Sequence, residues 1–182
     1  MNPKHNSESL NSFFKNYEEK NPAYVLGLII VSLGLYVFTW IYQINRDMEY
    51  LDDEAPDSMR GAILMAVLPF TWFFITTLIL EFTSSPIVVG IQIIVYFLIY
   101  LLVLKYLFDF CIAFSHVTRT RAIVWFSLLT IGTFGFFTYF LGTLYPLFFF
   151  IVLFLTIPAM QAELNITFHK ISIKKNHHSF YS

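Results

Sequence analysis

A run of forty-one residues without a charged side chain separates Arg121 from Glu163. As one helix this run would be about 62 Å long at 1.5 Å per residue, whereas the hydrocarbon core of a bilayer is about 30 Å thick. The run is therefore too long to cross a bilayer once and about the right length to cross it twice. A water-soluble domain of this size does not need such a run, so the sequence predicts an integral membrane protein.

The composition and the charge-free windows predict a helical class. The 182 residues are 57% hydrophobic and only 13% charged, against about 25% charged in an average globular chain. Backbone groups in lipid must pair within their own segment, so each window is interpreted as a helix. We expect an all-α, polytopic helical membrane protein with four to five membrane segments, at about 23–43, 61–80, 87–108, 122–140 and 144–162.

Charged residues flank this region and suggest three parts. Residues 1–22 form an N-terminal tail whose apolar positions, Leu10, Phe13, Phe14 and Tyr17, recur at the spacing of an interfacial amphipathic helix. Residues 23–165 form the helical membrane domain, and residues 166–182 form a basic cytoplasmic tail. The net charge of −1 argues against a nucleic-acid partner, because phosphates require a basic surface. The expected partners are the lipid bilayer and other membrane proteins or further copies of the chain.

The distribution of lysine and arginine indicates the orientation. All eleven lie in or beside the N-terminal tail, the loops at 43–60 and 105–121, and the C-terminal tail, and the connections at 81–86 and 141–146 have none. Because these residues favour the cytoplasm, five crossings with the N-terminus outside would place eight inside and three outside. A first segment that re-enters, bent near Gly34, would place all eleven inside. Both arrangements predict a cytoplasmic C-terminus, and the side of the N-terminus remains open.

Two stretches of the chain look alike. Residues 32–42 and 130–140 share, in order, a hydroxyl residue, an aliphatic residue, a glycine and several aromatic residues, at an offset of 98 positions. A true internal repeat and a chance similarity in a phenylalanine-rich chain are both open. Inverted repeats are an architecture of transporters.

The first copy also carries a family-like pattern, formed by Gly34, Tyr36, Trp40 and Asn45 and followed by a charged helix end. The fifth segment ends in Gln161, Glu163, Leu164 and Asn165. In these two elements the chain resembles a bacterial family of small membrane proteins, the domain of unknown function 4234. The resemblance implies a multi-pass protein of the bacterial inner membrane and implies no particular chemistry.

Ionisable groups in membrane segments are candidates for function. Lys105 and Asp109 are spaced i, i+4 and so share one helix face, where they could line an ion or proton step or serve as a snorkelling lysine beside a structural partner. Gln161, Glu163 and Asn165 could meet Asp109, or Gln43 and Asn45, at the cytoplasmic boundary. Such a polar cluster at the membrane boundary would bind a headgroup or partner, or would join helix ends by hydrogen bonds.

Motifs of catalysis and of cofactor binding are absent from the sequence. There is no nucleophile motif, no glycine-rich phosphate loop and no His-Glu-x-x-His helix. His116, His169 and Cys111 raise the alternative of a haem or metal, but the histidines lie at loop edges without a Cys-x-x-Cys-His motif. The acidic loop between Asp47 and Asp57 lacks the spacing of a calcium loop. We predict no catalytic, cofactor-binding or metal-binding residues and no cofactor.

The sequence therefore favours a non-enzymatic membrane protein, an assembly or accessory component of scaffold type, with membrane shaping if the first segment re-enters. The alternatives are a small transporter or channel subunit that uses Lys105 and Asp109, and a membrane-embedded redox protein or enzyme.

Overall fold

A computed structural model describes residues 19–32, 34–49, 55–82, 85–139 and 146–179. Every regular element in these residues is a helix, which confirms the all-α class and the helical bundle. The elements are α1 (Pro22–Val31), α2 (Leu35–Glu49), α3 (Ser58–Ala62), a π-helical segment (Ile63–Val67), α4 (Leu68–Phe82), α5 (Pro86–Thr118), α6 (Ala122–Tyr139) and α7 (Pro146–Ser179).

Several predictions fall outside the described residues: the interfacial helix over 10–17, the centre of the acidic loop at 50–54 and most of the turn after residue 140. The long helix α7 passes the predicted domain boundary at residue 165 without interruption and ends at Ser179.

The first hydrophobic segment consists of two helices rather than one. Helix α1 ends at Val31, with Ser32 as its C-cap, and Gly34 takes a left-handed φ of 90°, a conformation that costs a glycine little because it has no Cβ. The Gly34 N–H donates to the Ile29 carbonyl, which closes the end of α1. Ser32 then begins α2, because its hydroxyl accepts the Tyr36 N–H at 2.9 Å.

Helix α2 returns to the end of the molecule where α1 begins. The Lys20 ammonium donates to the Gln43 side-chain carbonyl at 2.9 Å. In a straight helix these two residues would be about 35 Å apart. The segment is therefore a hairpin with its bend at Gly34.

The next helix contains a change of helical type. Asp57 caps the N-terminus of α3 through a 2.8 Å hydrogen bond from the Arg60 N–H. The π-helical segment Ile63–Val67 follows and is succeeded by Pro69 in α4. A proline ring collides with the carbonyl four residues earlier, which here belongs to Met65, so the wider π turn relieves the clash.

Helix α5 is the most extended apolar element. Pro86 occupies its first turn, and its 33 residues span about 50 Å. It ends where Arg119 adopts a left-handed φ of 58° and donates its N–H to the Ser115 carbonyl. The corner into α6 is fixed by the Trp125 indole, which donates to the Thr120 hydroxyl at 2.9 Å.

Helix α7 is the common packing partner of the hairpin and of α6. A Cβ on Gly132 of α6 would lie 2.7 Å from the Leu153 Cβ, and one on Gly34 would lie 3.2 Å from the ring of Phe154. The two glycines of the similar stretches therefore contact consecutive residues of α7. The core around this axis includes Ile29, Trp40, Leu129, Ile157 and Met160, all fully buried.

Two helices among the described residues are long and apolar enough to cross a membrane, Pro86–Thr118 and Ile151–Lys170. Shorter apolar stretches occur at Pro22–Val31, Ser58–Val67 and Ala122–Phe134. Only 17% of the most apolar window of α5 is buried. Large apolar side chains on its surface include Ile87, Ile94 and Phe97, which are 74%, 61% and 58% exposed.

Candidate functional site

A buried polar network joins the hairpin to α7. The Trp40 indole N–H donates to the Gln161 side-chain oxygen at 2.8 Å, and the Gln161 amide N–H donates to the Asn165 oxygen at 2.9 Å. The Asn165 amide N–H then donates to the Lys20 carbonyl at 2.8 Å. Trp40 and Gln161 are fully buried and Asn165 is 7% exposed, so these bonds are shielded from water.

Lys20 links the α7 end of the network back to α2. The side chain of Lys20 donates to Gln43 of α2, three residues after Trp40, while its carbonyl accepts from α7. Residues i and i+3 share one helix face, as do residues i and i+4, so each helix contributes one face to the ring. The amide ring, as we call Lys20, Trp40, Gln43, Gln161 and Asn165, thus holds the start of α1, the middle of α2 and α7 together.

The direction of the hydrogen bonds that run from Trp40 through Gln161 and Asn165 to the Lys20 carbonyl follows from the tryptophan. An indole N–H can only donate, so Gln161 must present its oxygen to Trp40 and its N–H₂ to Asn165. Asn165 must in turn present its oxygen to Gln161 and its N–H₂ to the Lys20 carbonyl. The reverse orientation of either amide would place two acceptors or two donors face to face.

The structure brings together some of the predicted residues at the membrane boundary. Gln161 and Asn165 contact each other and reach Trp40, which belongs to the family-like pattern in the first segment. Glu163 lies on α7 between them and is half-buried. No hydrogen bond or ion pair joins Lys105, Asp109 or Glu163 to another described side chain within 4 Å.

Lys105 and Asp109 lie apart from the amide ring. Lys105 is exposed and Asp109 is half-buried on α5. A proton or ion step needs partners that hold both charges in a shielded path. Within the described parts of the chain Lys105 and Asp109 have no such partner, and the transporter alternative stays a prediction.

The family-like residues have separate positions. Gly34 forms the bend, the backbone N–H of Tyr36 donates to the Ser32 hydroxyl, and Trp40 belongs to the amide ring. Asn45 is fully buried one turn beyond Tyr42, and its amide N–H₂ donates to the Pro56 carbonyl.

The histidines and the cysteine are also separate. His116 is exposed at the end of α5, the Nε2 of His169 lies 3.1 Å from a carboxylate oxygen of Glu19, and Cys111 is fully buried in the core. Within the described parts of the chain, no three His, Cys, Asp or Glu side chains converge to hold a metal ion.

Sequence reasoning pointed to Gln43, Gln161 and Asn165 as neighbours but missed Lys20, whose carbonyl and side chain both take part. No spacing signal marks this lysine, because its contacts are 23 and 145 residues away along the chain. The side chains of the amide ring are all engaged in hydrogen bonds, which join the start of α1, α2 and α7.

Comparison of the chain with protein-family models, with curated proteins and with solved structures finds no match.

Proposed function

We propose that this chain is a non-enzymatic, multi-pass protein of the bacterial inner membrane that acts as an assembly or accessory component and shapes one leaflet. The observation that carries the proposal is the contact between Lys20 and Gln43, which closes the first hydrophobic segment into a hairpin. The resemblance to the domain of unknown function 4234 remains a prediction and agrees with this location.

The membrane location is supported by the exposed surface of α5. Burial of an apolar side chain stabilises by about 1.5–3 kcal/mol, so a face of exposed Ile, Leu and Phe side chains in water would be strongly unfavourable. Lipid removes this penalty. Large contiguous apolar patches on a protein surface typically mark a site of contact with a membrane or a partner.

The hairpin supports a re-entrant first segment. Along α7, Phe154 at the bend and Asn165 at the open end are separated by about 16 Å, roughly half of a 30 Å hydrocarbon core. The hairpin would thus occupy one leaflet. Four crossings would follow, by α3 with α4, by α5, by α6 and by α7, and all lysines and arginines would then lie on the cytoplasmic side, with the C-terminus.

A hairpin confined to one leaflet adds area to that leaflet alone, so it favours curvature. The amide ring gives this element a fixed shape, because it ties both arms of the hairpin to α7. Such a rigid wedge suits a scaffold component better than an enzyme, which needs reactive groups at a cleft.

The test is reconstitution of the full chain into vesicles of phosphatidylethanolamine and phosphatidylglycerol, with vesicle diameter measured by cryo-electron microscopy. The wild type should narrow the vesicles as the protein density rises. The variant Gln161→Glu, which places a charge in the amide ring, should narrow them less, whereas Glu163→Gln on the same helix should behave as wild type. Vesicles of unchanged diameter at high wild-type density would contradict membrane shaping.

A further inference from the structure

A cavity of about 300 Å³ lies between α2, the start of the second hydrophobic segment and α5. Among the described residues its lining consists of ten neutral residues, most of them apolar or aromatic. An apolar cavity of about 150 Å³ in a protein interior stays dry and takes up benzene, so a larger apolar cavity suits a longer hydrocarbon. Because burial of an unpaired charge is costly, a neutral lining favours an uncharged occupant over an ion.

The cavity lies beside the second arm of the hairpin. Phe38 and Tyr42 of α2 line it, between the bend at Gly34 and the amide-ring residue Gln43. Met59, on the facing wall, is 65% exposed, so the cavity opens at the outer surface of the helices. In the proposed membrane location, the lipid chains of the leaflet that holds the hairpin lie at this opening.

The wall formed by the second hydrophobic segment can adapt to an irregular apolar shape. Met65 and Ala66 belong to the π-helical segment and line the cavity. π turns occur frequently at functional sites. Met59 and Met65 contribute flexible thioether side chains, which fill irregular gaps and adjust to different apolar partners. Such a wall suits a hydrocarbon chain, which bends from one conformer to another.

The lining also contains a buried hydroxyl, that of Tyr106. Tyr106 is 4% exposed, and its phenol lies against Gly61, where a Cβ would fall 2.1 Å from the tyrosine oxygen. Both residues line the cavity. No hydrogen bond joins this hydroxyl to another described residue. Since a buried tyrosine hydroxyl normally has a hydrogen-bond partner, an acceptor inside the cavity would be stabilising.

We propose that the cavity binds one acyl chain of a membrane phospholipid and that the Tyr106 hydroxyl donates to the ester carbonyl of that chain. The ester carbonyl is the acceptor closest to the hydrocarbon of such a lipid. Gly61, beside the hydroxyl, lies one turn after Asp57, the N-cap of α3, and so near the polar end of the second segment. The inference rests on the proposed membrane location and is independent of membrane shaping.

The test is native mass spectrometry of the full chain, purified in dodecyl maltoside and titrated with dioleoyl phosphatidylglycerol. We expect a first lipid to bind saturably and more tightly than further lipids. The dioleyl ether analogue has nearly the same chains without the ester carbonyls. It should bind the tight site about fivefold more weakly, as the loss of one hydrogen bond predicts.

A variant of the hydroxyl separates the hydrogen bond from the shape of the cavity. Tyr106→Phe should bind the ester and ether lipids equally, with the affinity that the wild type has for the ether. Tyr100→Phe, on the same helix, is the control, because its hydroxyl donates to the Thr130 carbonyl outside the cavity. It should keep the preference for the ester.

A variant of the wall tests the cavity itself. Ala66→Leu should fill the space and abolish tight binding of both lipids. Ala159→Leu adds the same bulk at an exposed position of α7 and should bind as the wild type does.

Equal lipid binding by Ala66→Leu and the wild type would overturn the proposal, as would a preference for the ester that survives in Tyr106→Phe. If Ala66→Leu does not fold, the comparison of ester and ether lipids in Tyr106→Phe and Tyr100→Phe still decides. Flotation of the full chain with vesicles tests the membrane location separately. A chain that floats but has no tight lipid would overturn this inference alone, whereas a chain that does not float would overturn the proposed function.

Discussion

The first and fourth hydrophobic segments share a sequence pattern but fold differently. The first is bent into a hairpin at Gly34, whereas the fourth, α6, continues through Gly132 as a helix of 18 residues. Both glycines pack against α7, at Phe154 and Leu153. A glycine in such a pattern therefore permits two structures, and its surroundings decide between them.

The residues beside each glycine explain the difference. Ser32 has its hydroxyl bonded to the Tyr36 N–H, which begins a new helix, and the polar side chains of the first segment reach Lys20 and α7. In α6 the corresponding hydroxyl belongs to Thr130, and Thr133 donates to the carbonyl of Leu129 within the same helix. Caps and distant amides stabilise the bend, whereas close packing of Gly132 stabilises the straight helix.

The largest expected effect comes from Gln161→Glu, which should release the hairpin from α7. A carboxylate cannot donate to Asn165, and the Lys20 ammonium of the ring already donates to Gln43, so we expect a loss of roughly 3–5 kcal/mol in the free energy of unfolding. SDS titration in mixed micelles measures it. Glu163→Gln on the same helix is the control and should change stability by under about 0.5 kcal/mol. A similar loss in both variants would mean that the amide ring does not fix the hairpin.

Gly132→Ala tests the straight segment. The new Cβ would lie 2.7 Å from the Leu153 Cβ and 3.0 Å from its Cα, so α6 must move away from α7. We expect a loss of about 2–3 kcal/mol, since overpacking outweighs the helix preference of alanine. Gly90→Ala in α5 meets no atom within 4 Å and should be neutral or more stable by up to about 1 kcal/mol. Equal behaviour of the two variants would argue against close packing at Gly132.

Gly34→Ala tests the bend. Its φ of 90° is unfavourable for any residue with a Cβ, and the new methyl group would lie 3.2 Å from Phe154. We expect a loss of about 1–2 kcal/mol, measured by the same SDS titration. Gly27→Ala, in α1 with open space around it, serves as the control and should not destabilise. A neutral Gly34→Ala variant would indicate that the first segment is straight.

The smallest effect distinguishes the two hydroxyl residues of the similar stretches. Ser32→Ala removes the cap of α2 and should cost about 1 kcal/mol in thermal unfolding experiments. Thr130→Val should cost nothing or stabilise, because the Thr130 hydroxyl is buried without a hydrogen-bond partner among the described residues. If Thr130→Val were the more destabilising variant, the Ser32 cap would not explain why the first segment bends and the fourth stays straight.

Much of the fold was predictable because it depends on local chemistry. The charge-free windows predict the helical class, Pro86 begins α5, and Gly34 was a candidate bend. The π segment was not predictable in detail, since Pro69 indicates a kink but not which turn absorbs it. The contacts of Lys20 with Gln43 and Asn165, and of Gly61 with Tyr106, depend on how distant helices pack, and no local pattern encodes them.

The most direct test of the central claim is the side of the membrane on which the first segment begins. The test begins from a variant in which the buried Cys111 is changed to alanine. Single cysteines are then introduced at positions 19, 85 and 119. Each is labelled with an impermeant maleimide in right-side-out and in inverted vesicles. A re-entrant hairpin predicts that positions 19 and 119 react from the cytoplasmic side and position 85 from the other. Reaction of position 19 from the same side as position 85 would show that the first segment crosses and would contradict the hairpin.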